Sequence, residues 1–385
     1  MRNLIFIASL LLLSTLCANA QGIQFETGAW ADILAKAKAS NKLVFLDAYT
    51  TWCGPCKLMT KNTFPDPAVG TLYNARYVNA KIDMEKGEGP ALLKQYGVEY
   101  FPTLLFVDGD GNLVHKAVGY YETADFLELG KKANNPSFNQ LGLKKRYDSG
   151  DHTPEILLAY MKATSAAFDP LSGQLANEYL KTQKNLGSDE NMDVIYNYVT
   201  DPFSDGFKYF VWNQEKFVET YSEELVVVKI ENTIGEYVSK HPELTLADMR
   251  VLFIGAYPKE GERMAAYYTM NHYAQREDNA NYAQAAITYF DQYPSESPEE
   301  LNEAAWFFYT HYNDTALLEK AVDWSKKSVR LGEGYYNRDT LACLLAKLGR
   351  KNEAIAHAER AIELAKAGGE DYSSTQKLLD ELNKR

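Results

Sequence analysis

Cysteine is scarce in this chain: of 385 residues only four are cysteines, at positions 17, 53, 56 and 343. So few exclude a fold stapled by several disulfides, the device small secreted domains use in place of a large core. Long apolar runs are scarce too. Past the N-terminal segment, no stretch approaches the roughly 20 consecutive apolar residues needed to span a bilayer. Positive charge is in deficit: 40 Lys and Arg stand against 52 Asp and Glu, for a net charge of −12. That balance argues against nucleic acid or an anionic membrane surface as the main partner. What is present is ordinary globular material, 46% hydrophobic and 24% charged. At roughly 100–200 residues per domain, a chain of this length holds two or three domains, each able to bury a core.

The first 20 residues have the pattern of a signal peptide. Arg2 supplies a positive start, Leu4 to Leu13 is a short apolar run, and Ala18-Asn19-Ala20 is an A-x-A cleavage site. The mature chain is then expected to begin at Gln21, to be periplasmic or secreted, and to be soluble. Leu16, before Cys17, is not the small residue a lipid-anchored cysteine requires. With Cys17 removed, Cys53 and Cys56 are the one close pair in the mature chain.

Hydrophobic periodicity divides the rest. Thr27 to Ser40 has helical period, and Leu43 to Leu46 reads as a buried strand. A helix follows Cys56 to about Leu72, broken near Pro65 and Pro67. Tyr77 to Asp83 alternates as a strand, and Pro90 to Tyr96 is a short helix ended by Gly97. Thr103 to Val107 and Leu113 to Val118 flank the turn Asp108-Gly109-Asp110-Gly111, with a closing helix from Thr123 to Lys132. This order predicts an α/β domain over residues 21–133, a mixed sheet with helices on both faces. Residues 134–140 are polar, contain Pro136, and read as a linker. Beyond them strand signals nearly vanish. Residues 141–295 read as helices of uncertain register.

Residues 296–385 carry an internal repeat. Ala321-Val322-Asp323-Trp324 and Ser328 to Leu331 recur as Ala354-Ile355-Ala356-His357 and Ala361 to Leu364, an offset of 33 residues (Ala321 to Ala354). Small residues at Ala342, Ala354 and Ala361 allow close helix pairing. This pattern resembles a tetratricopeptide repeat, an all-α repeat architecture. The first copy is expected to carry extra residues around His311 to Asp314, and a weaker third copy covers Tyr282 to Tyr293. Trp306, Trp324 and the tyrosine stripes read as core, some of them candidates to line a concave partner groove.

The chemistry is concentrated in Trp52-Cys53-Gly54-Pro55-Cys56-Lys57. The first cysteine opens a helix, where unpaired N–H groups and the helix dipole favour an anion and lower a thiol pKa toward about 7, against about 8.5 when free. Cys53 is expected to be the exposed nucleophile and Cys56, one turn in and more buried, the resolving thiol. Gly54 and Pro55 make the tight turn into the helix. A zinc site would need two further ligands, and the six histidines are scattered; no metal or cofactor is expected. Cys343, between Ala342 and Leu344, reads as a buried apolar residue, and His115 as a surface residue.

These motifs resemble the thioredoxin superfamily, whose hexapeptide stands intact as Trp52 to Lys57. Six residues before Cys53, Asp47 is similar to the family's buried aspartate. Tyr96 to Thr103 is similar to its cis-proline segment, which implies that Pro102 lies against Cys53 and that Phe101 offers its backbone to substrate. Three separated motifs agree in spacing over nearly the whole domain. Thr63 to Val69 is similar to the C-terminal domain of periplasmic membrane-linked thiol reductases, and that implies a relay carrying electrons outward. One departure stands out: where the family has a lysine near the buried aspartate, this chain has Asn79, with Lys81 nearby.

The resemblance implies a protein disulfide oxidoreductase of the reducing type. Its potential would be near about −270 mV, against about −120 mV for a strong periplasmic oxidant, a gap of roughly 7 kcal/mol for two electrons. It implies Asp47 as the base for Cys56, Trp52 and Phe101 as shapers of the substrate face, disulfide-containing client proteins, and a membrane thiol reductase as electron donor. The alternative is a non-catalytic scaffold or chaperone that docks partners through the repeats and the first domain.

Overall fold

The structure, a computed structural model, describes residues 22–384, so the segment read as a signal peptide and Cys17 lie outside the described residues. The described residues fall into two compact units, one ending at Thr220 and the other beginning at Tyr221.

The first unit opens with five strands, β1 (Phe25–Glu26), β2 (Leu43–Tyr49), β3 (Tyr77–Asp83), β4 (Thr103–Val107) and β5 (Leu113–Val118). They form one mixed sheet in the order β1-β3-β2-β4-β5, with β2 and β3 parallel and β4 antiparallel to both its neighbours. Between and after them come α1 (Trp30–Ser40), α2 (Gly54–Leu58), α3 (Pro67–Arg76), α4 (Gly89–Gln95) and α5 (Thr123–Ala133). The sequence reading lacked β1, since two residues are too few to show alternation.

Side chains alternate across the central strand, which is buried on both faces and therefore reads as a continuous apolar run. Val44, Leu46 and Ala48 pack with Trp30 and Ile33 of α1 and Leu92 of α4. Phe45 points the other way, into Tyr73 of α3 and Phe126 of α5. Tyr73 stacks on Phe126 at 4.3 Å between ring centres. Gly130 permits this packing, because a Cβ there would come within 2.9 Å of the Tyr73 ring. By the same alternation Asp47 shares the face of Phe45.

The helix after the cysteine pair stops at Leu58 and passes into a π-helical turn, Met59–Thr63, in which Phe64 N–H bonds the Met59 carbonyl at 2.9 Å. It restarts as α3, with Asp66 accepting from Ala68 and Val69 N–H and Pro67 in the first turn. The break near Pro65 and Pro67 is therefore as expected, and the second half runs on to Arg76.

The first unit continues with α6 (Gln140–Asp148), α7 (Pro154–Ala166), α8 (Leu171–Lys181), α9 (Asp189–Tyr198), α10 (Asp205–Trp212) and all but the last residue of α11 (Gln214–Tyr221). The stretch read as a linker packs tightly. Asn139 is buried, donating to the Ala133 carbonyl and accepting from Gly142 N–H. Gln140 is a three-way clasp: its side chain accepts from Lys116 N–H of edge strand β5 and donates to the Ala163 carbonyl of α7. Its own N–H donates to His115 Nδ1. The exposed edge that a sheet must protect is thus occupied by the helices that follow. His115, read as a surface residue, is buried for this reason; desolvation pulls its pKa down to about 4, so it is neutral.

The second unit holds α12 (Glu223–Lys240), α13 (Leu246–Ala256), α14 (Gly261–Gln275), α15 (Asn279–Gln292), α16 (Pro298–His311), α17 (Thr315–Leu331), α18 (Tyr335–Lys347), α19 (Lys351–Gly368) and α20 (Ser373–Lys384). Ala321, Ala342, Ala354 and Ala361 have no exposed surface and let the helices approach closely. The extra residues expected around His311 are not found: Tyr312 to Asp314 and Leu348 to Arg350 join the two pairs with equal length. Trp324 is core, packed on Phe290 and Phe308, but Trp306 is exposed, correcting its reading as core. Cys343 is half-buried, and its thiol is pushed up to about 12 by desolvation. No helix among the described residues is long and apolar enough to cross a membrane.

Candidate active site

Cys53 caps α2, and Cys53 and Cys56 are joined by a disulfide with their Cα atoms 5.4 Å apart. Cys56 N–H lies 3.1 Å from Cys53 Sγ. This is the arrangement that stabilises a Cys53 thiolate on reduction, because the N–H groups of the first turn have no helical partner. Pro55, in the first turn, removes an N–H that would be unpaired in any case. The expectation of an exposed Cys53 needs correction. In the disulfide form Cys53 is 3% exposed and Cys56 2%, so burial hardly distinguishes them. The accessible rim is made by Trp52, Gly54, Pro55 and Lys57, all exposed.

Asp47 is buried, and its surroundings answer the question raised by Asn79. In the β2–β3 register Asp47 is opposite Lys81, while Asn79 is opposite Phe45. Partners in a parallel pair share a face, so Lys81 is the residue that reaches Asp47: its Nζ is 2.9 Å from Oδ2. Asn79 bonds Asn74 Oδ1 instead. Asp47 Oδ1 has no hydrogen-bond partner among the described residues. Desolvation raises the Asp47 pKa, and the charge of Lys81 only partly opposes it.

Lys81 also ties this charge to the cysteine helix. Its ammonium donates to Thr60 Oγ1 at 2.6 Å, and Thr60 Oγ1 donates to the Cys56 carbonyl at 2.9 Å. The same ammonium lies 4.6 Å from the centre of the Tyr49 ring and 5.2 Å from that of Phe64. The route from Asp47 to the backbone of Cys56 therefore runs through Lys81 and Thr60.

Around the disulfide, Trp52 is held by two contacts. Its Nε1 donates to Glu85 Oε1 at 2.9 Å, and its ring meets that of Phe101 edge-on at 5.8 Å. The Phe101–Pro102 peptide bond is cis. Pro102 itself is buried, and Phe101 is half-buried.

The sequence-selected residues Trp52 to Lys57, Asp47, Phe101 and Pro102 all belong to this one domain. Thr60 and Glu85 were not anticipated. The strand register is the signal that would have singled out Lys81, because aligning Leu43 with Tyr77 puts Lys81 beside Asp47. Nothing in the local pattern marks Thr60.

Residues 30–134 match the thioredoxin-like domain family. The thiol:disulfide interchange protein DsbD of Yersinia pestis is 38% identical over 95 residues, which is 24% of this chain and 16% of that protein. DsbD of Tatumella citrea is 33% identical over 112 residues, 28% of this chain and 19% of that protein. The chain thus spans less than a fifth of the length of these curated relatives. Among solved structures, a protein from Bacteroides thetaiotaomicron provisionally described as a disulphide-isomerase is 43% identical, with 30% of this chain and 96% of that one covered and a TM-score of 0.28. The oxidised C-terminal domain of Neisseria meningitidis DsbD is 27% identical, with 29% and 98% covered and a TM-score of 0.25.

Proposed function

We propose that this chain, whose residues 30–134 are a thioredoxin-like domain, is a protein thiol–disulfide oxidoreductase working through Cys53 and Cys56. The observation that carries the proposal is the Cys53–Cys56 disulfide at the first turn of α2, coupled through Thr60 and Lys81 to buried Asp47.

In the reducing direction the Cys53 thiolate attacks one sulfur of a client disulfide. A mixed disulfide forms and the other client sulfur leaves as a thiolate that takes a proton. Asp47, with its raised pKa and unpartnered oxygen, accepts the Cys56 proton. The Cys56 thiolate then attacks Cys53 Sγ, the second client sulfur leaves, and two electrons have passed to the client. The product is the Cys53–Cys56 disulfide, and a dithiol donor must reduce it before the next cycle. Trp52 and Phe101 shape the client face, and the Phe101 backbone beside Pro102 pairs with the client strand.

The N-terminal pattern Arg2 to Ala20 supports a periplasmic or secreted location, and the Gly54-Pro55 dipeptide supports the reducing direction. Together they call for a membrane thiol reductase as donor. The repeated alanine pattern of α16 to α19 supports a tetratricopeptide-like assembly that selects clients.

Insulin reduction by dithiothreitol tests the reading. Acceleration should vanish in Cys53→Ala; acceleration that survives would overturn it in favour of a non-catalytic scaffold. In Cys56→Ser a mixed disulfide on Cys53 should accumulate, and mass spectrometry would identify the client.

A further inference from the structure

A run of aromatic rings leads away from the disulfide rim onto the helices that follow the thioredoxin-like domain. Trp52 meets Phe101, Phe101 is followed back along the chain by Tyr100, and the Tyr100 ring meets Phe168 edge-on at 5.3 Å. Trp52, Tyr100 and Phe168 are 64%, 52% and 59% exposed. Phe168 lies in the turn between α7 and α8, within the same compact unit as the disulfide. Beneath Tyr100 and Phe168 is a groove of about 560 Å³, with Val114, Lys116 and Val118 of β5 and Tyr160 of α7 among its lining.

Phe168 is doubly disfavoured as an ordinary surface residue. It exposes most of its ring, and its φ of 56° lies in the left-handed region that a bulky side chain adopts only with strain. Glycine or asparagine would suit that backbone better. Its platform is also held on both sides. Thr103 Oγ1 bonds the Tyr100 carbonyl at 2.7 Å, Lys116 Nζ bonds the Gly97 carbonyl at 2.6 Å, and Asp169 Oδ1 accepts from Leu171 N–H at 2.9 Å.

We propose that Phe168, Tyr100 and the groove under them form a second client subsite, continuous with the disulfide rim, for an extended polypeptide segment with an aromatic side chain a few residues from its reactive cysteine. This rests on the oxidoreductase reading above. The occupant is a client segment because Phe101, which meets Trp52 at the rim where the reacting cysteine must arrive, is the chain neighbour of Tyr100, whose ring meets Phe168. The helices after residue 140 thereby supply a specificity element that the sheet domain lacks.

The test uses short synthetic peptides whose single cysteine is carried as a mixed disulfide with thionitrobenzoate, an aromatic residue being walked along either side of the cysteine. For the full chain, kcat/KM should be roughly tenfold higher at one aromatic position than for the alanine peptide. In Phe168→Gly the preference should be lost, while the thermal midpoint stays equal or rises as backbone strain is relieved. Turnover of a small aromatic disulfide should not change. Absence of a preferred position, or a preference that persists in Phe168→Gly, overturns the subsite. A dimer that dissociates in Phe168→Gly with peptide preference unaltered also overturns it and assigns the patch to a second copy. Loss of all Cys53-dependent turnover in the wild-type chain would instead refute the oxidoreductase reading.

Discussion

Lys81 stands in register with Asp47 across β2 and β3, its ammonium 2.9 Å from a carboxylate that has no other hydrogen-bond partner among the described residues. The same ammonium reaches Thr60, which holds the Cys56 carbonyl. One lysine therefore sets both the charge balance of the buried acid and its connection to the backbone of Cys56.

Removing that lysine should be costly and pH-dependent. In Lys81→Met the Asp47 carboxylate loses its counter-charge, and unfolding free energy at pH 7 should drop by roughly 2 kcal/mol or more. The deficit should shrink at lower pH as Asp47 becomes protonated. Resolution of a Cys53 mixed disulfide, followed by stopped flow, should show its pH midpoint displaced upward. Thr60→Val should cost about 1 kcal/mol and slow resolution, leaving the first attack unaltered. Equal slowing of both steps would contradict this division of roles.

Asp47→Asn should have the opposite effect on stability. A carboxyl whose folded pKa lies above its unfolded value takes up a proton on folding. Its contribution therefore weakens as pH rises from the ordinary Asp range through the raised value. The substitution should raise stability by roughly 1–3 kcal/mol at pH 7–8, with the gain fading near pH 4. Urea unfolding across that range measures it. A gain independent of pH would rule out Asp47 as its source.

His115 contributes with the reverse sign. It is buried and neutral, with its pKa lowered from 6.5 to about 4, so the unfolded chain binds its proton first as pH falls. Stability from this site is complete above about pH 6.5 and is lost between there and about pH 4, in all about 3 kcal/mol at about 1.4 kcal/mol per unit. Protonation of Nδ1 also removes the acceptor for Gln140 N–H. Hydrogen exchange at Gln140 and along α6 should accelerate on acidification. In His115→Asn the acid-labile part of the unfolding curve should flatten; an unaltered slope would refute the assignment.

Where the chain is cut should matter. Ending it after Thr220 keeps the first compact unit whole and should leave a cooperatively folding protein with insulin-reducing activity. Ending it after Asn139 strips Gln140 and α7 from the β5 edge, exposing Lys116 N–H and the neighbourhood of His115. That shorter protein should unfold at a lower urea concentration and associate through the open edge. Equal midpoints for the two would show the clasp to be energetically idle.

Most of the first domain was legible in the sequence because its signals are local. Tyr77 to Asp83 alternates, Leu43 to Leu46 is continuously apolar as a strand buried on both faces must be, and Asp108 to Gly111 is a turn. The hexapeptide at the start of a helix marks the reacting sulfurs by chemistry alone, whatever surrounds them. Tertiary structure decided the rest, through strand register and through packing between segments far apart in sequence. Lys81 rather than Asn79 serves Asp47 because parallel pairing sets Lys81 opposite it. His115 is buried because Gln140 closes the sheet edge over it, and Trp306 is exposed although its helix has the period of a core element. Phe168 meets Tyr100 only because a turn between two later helices is folded against it. Such contacts depend on where elements meet in space, and residue type and periodicity carry no record of that.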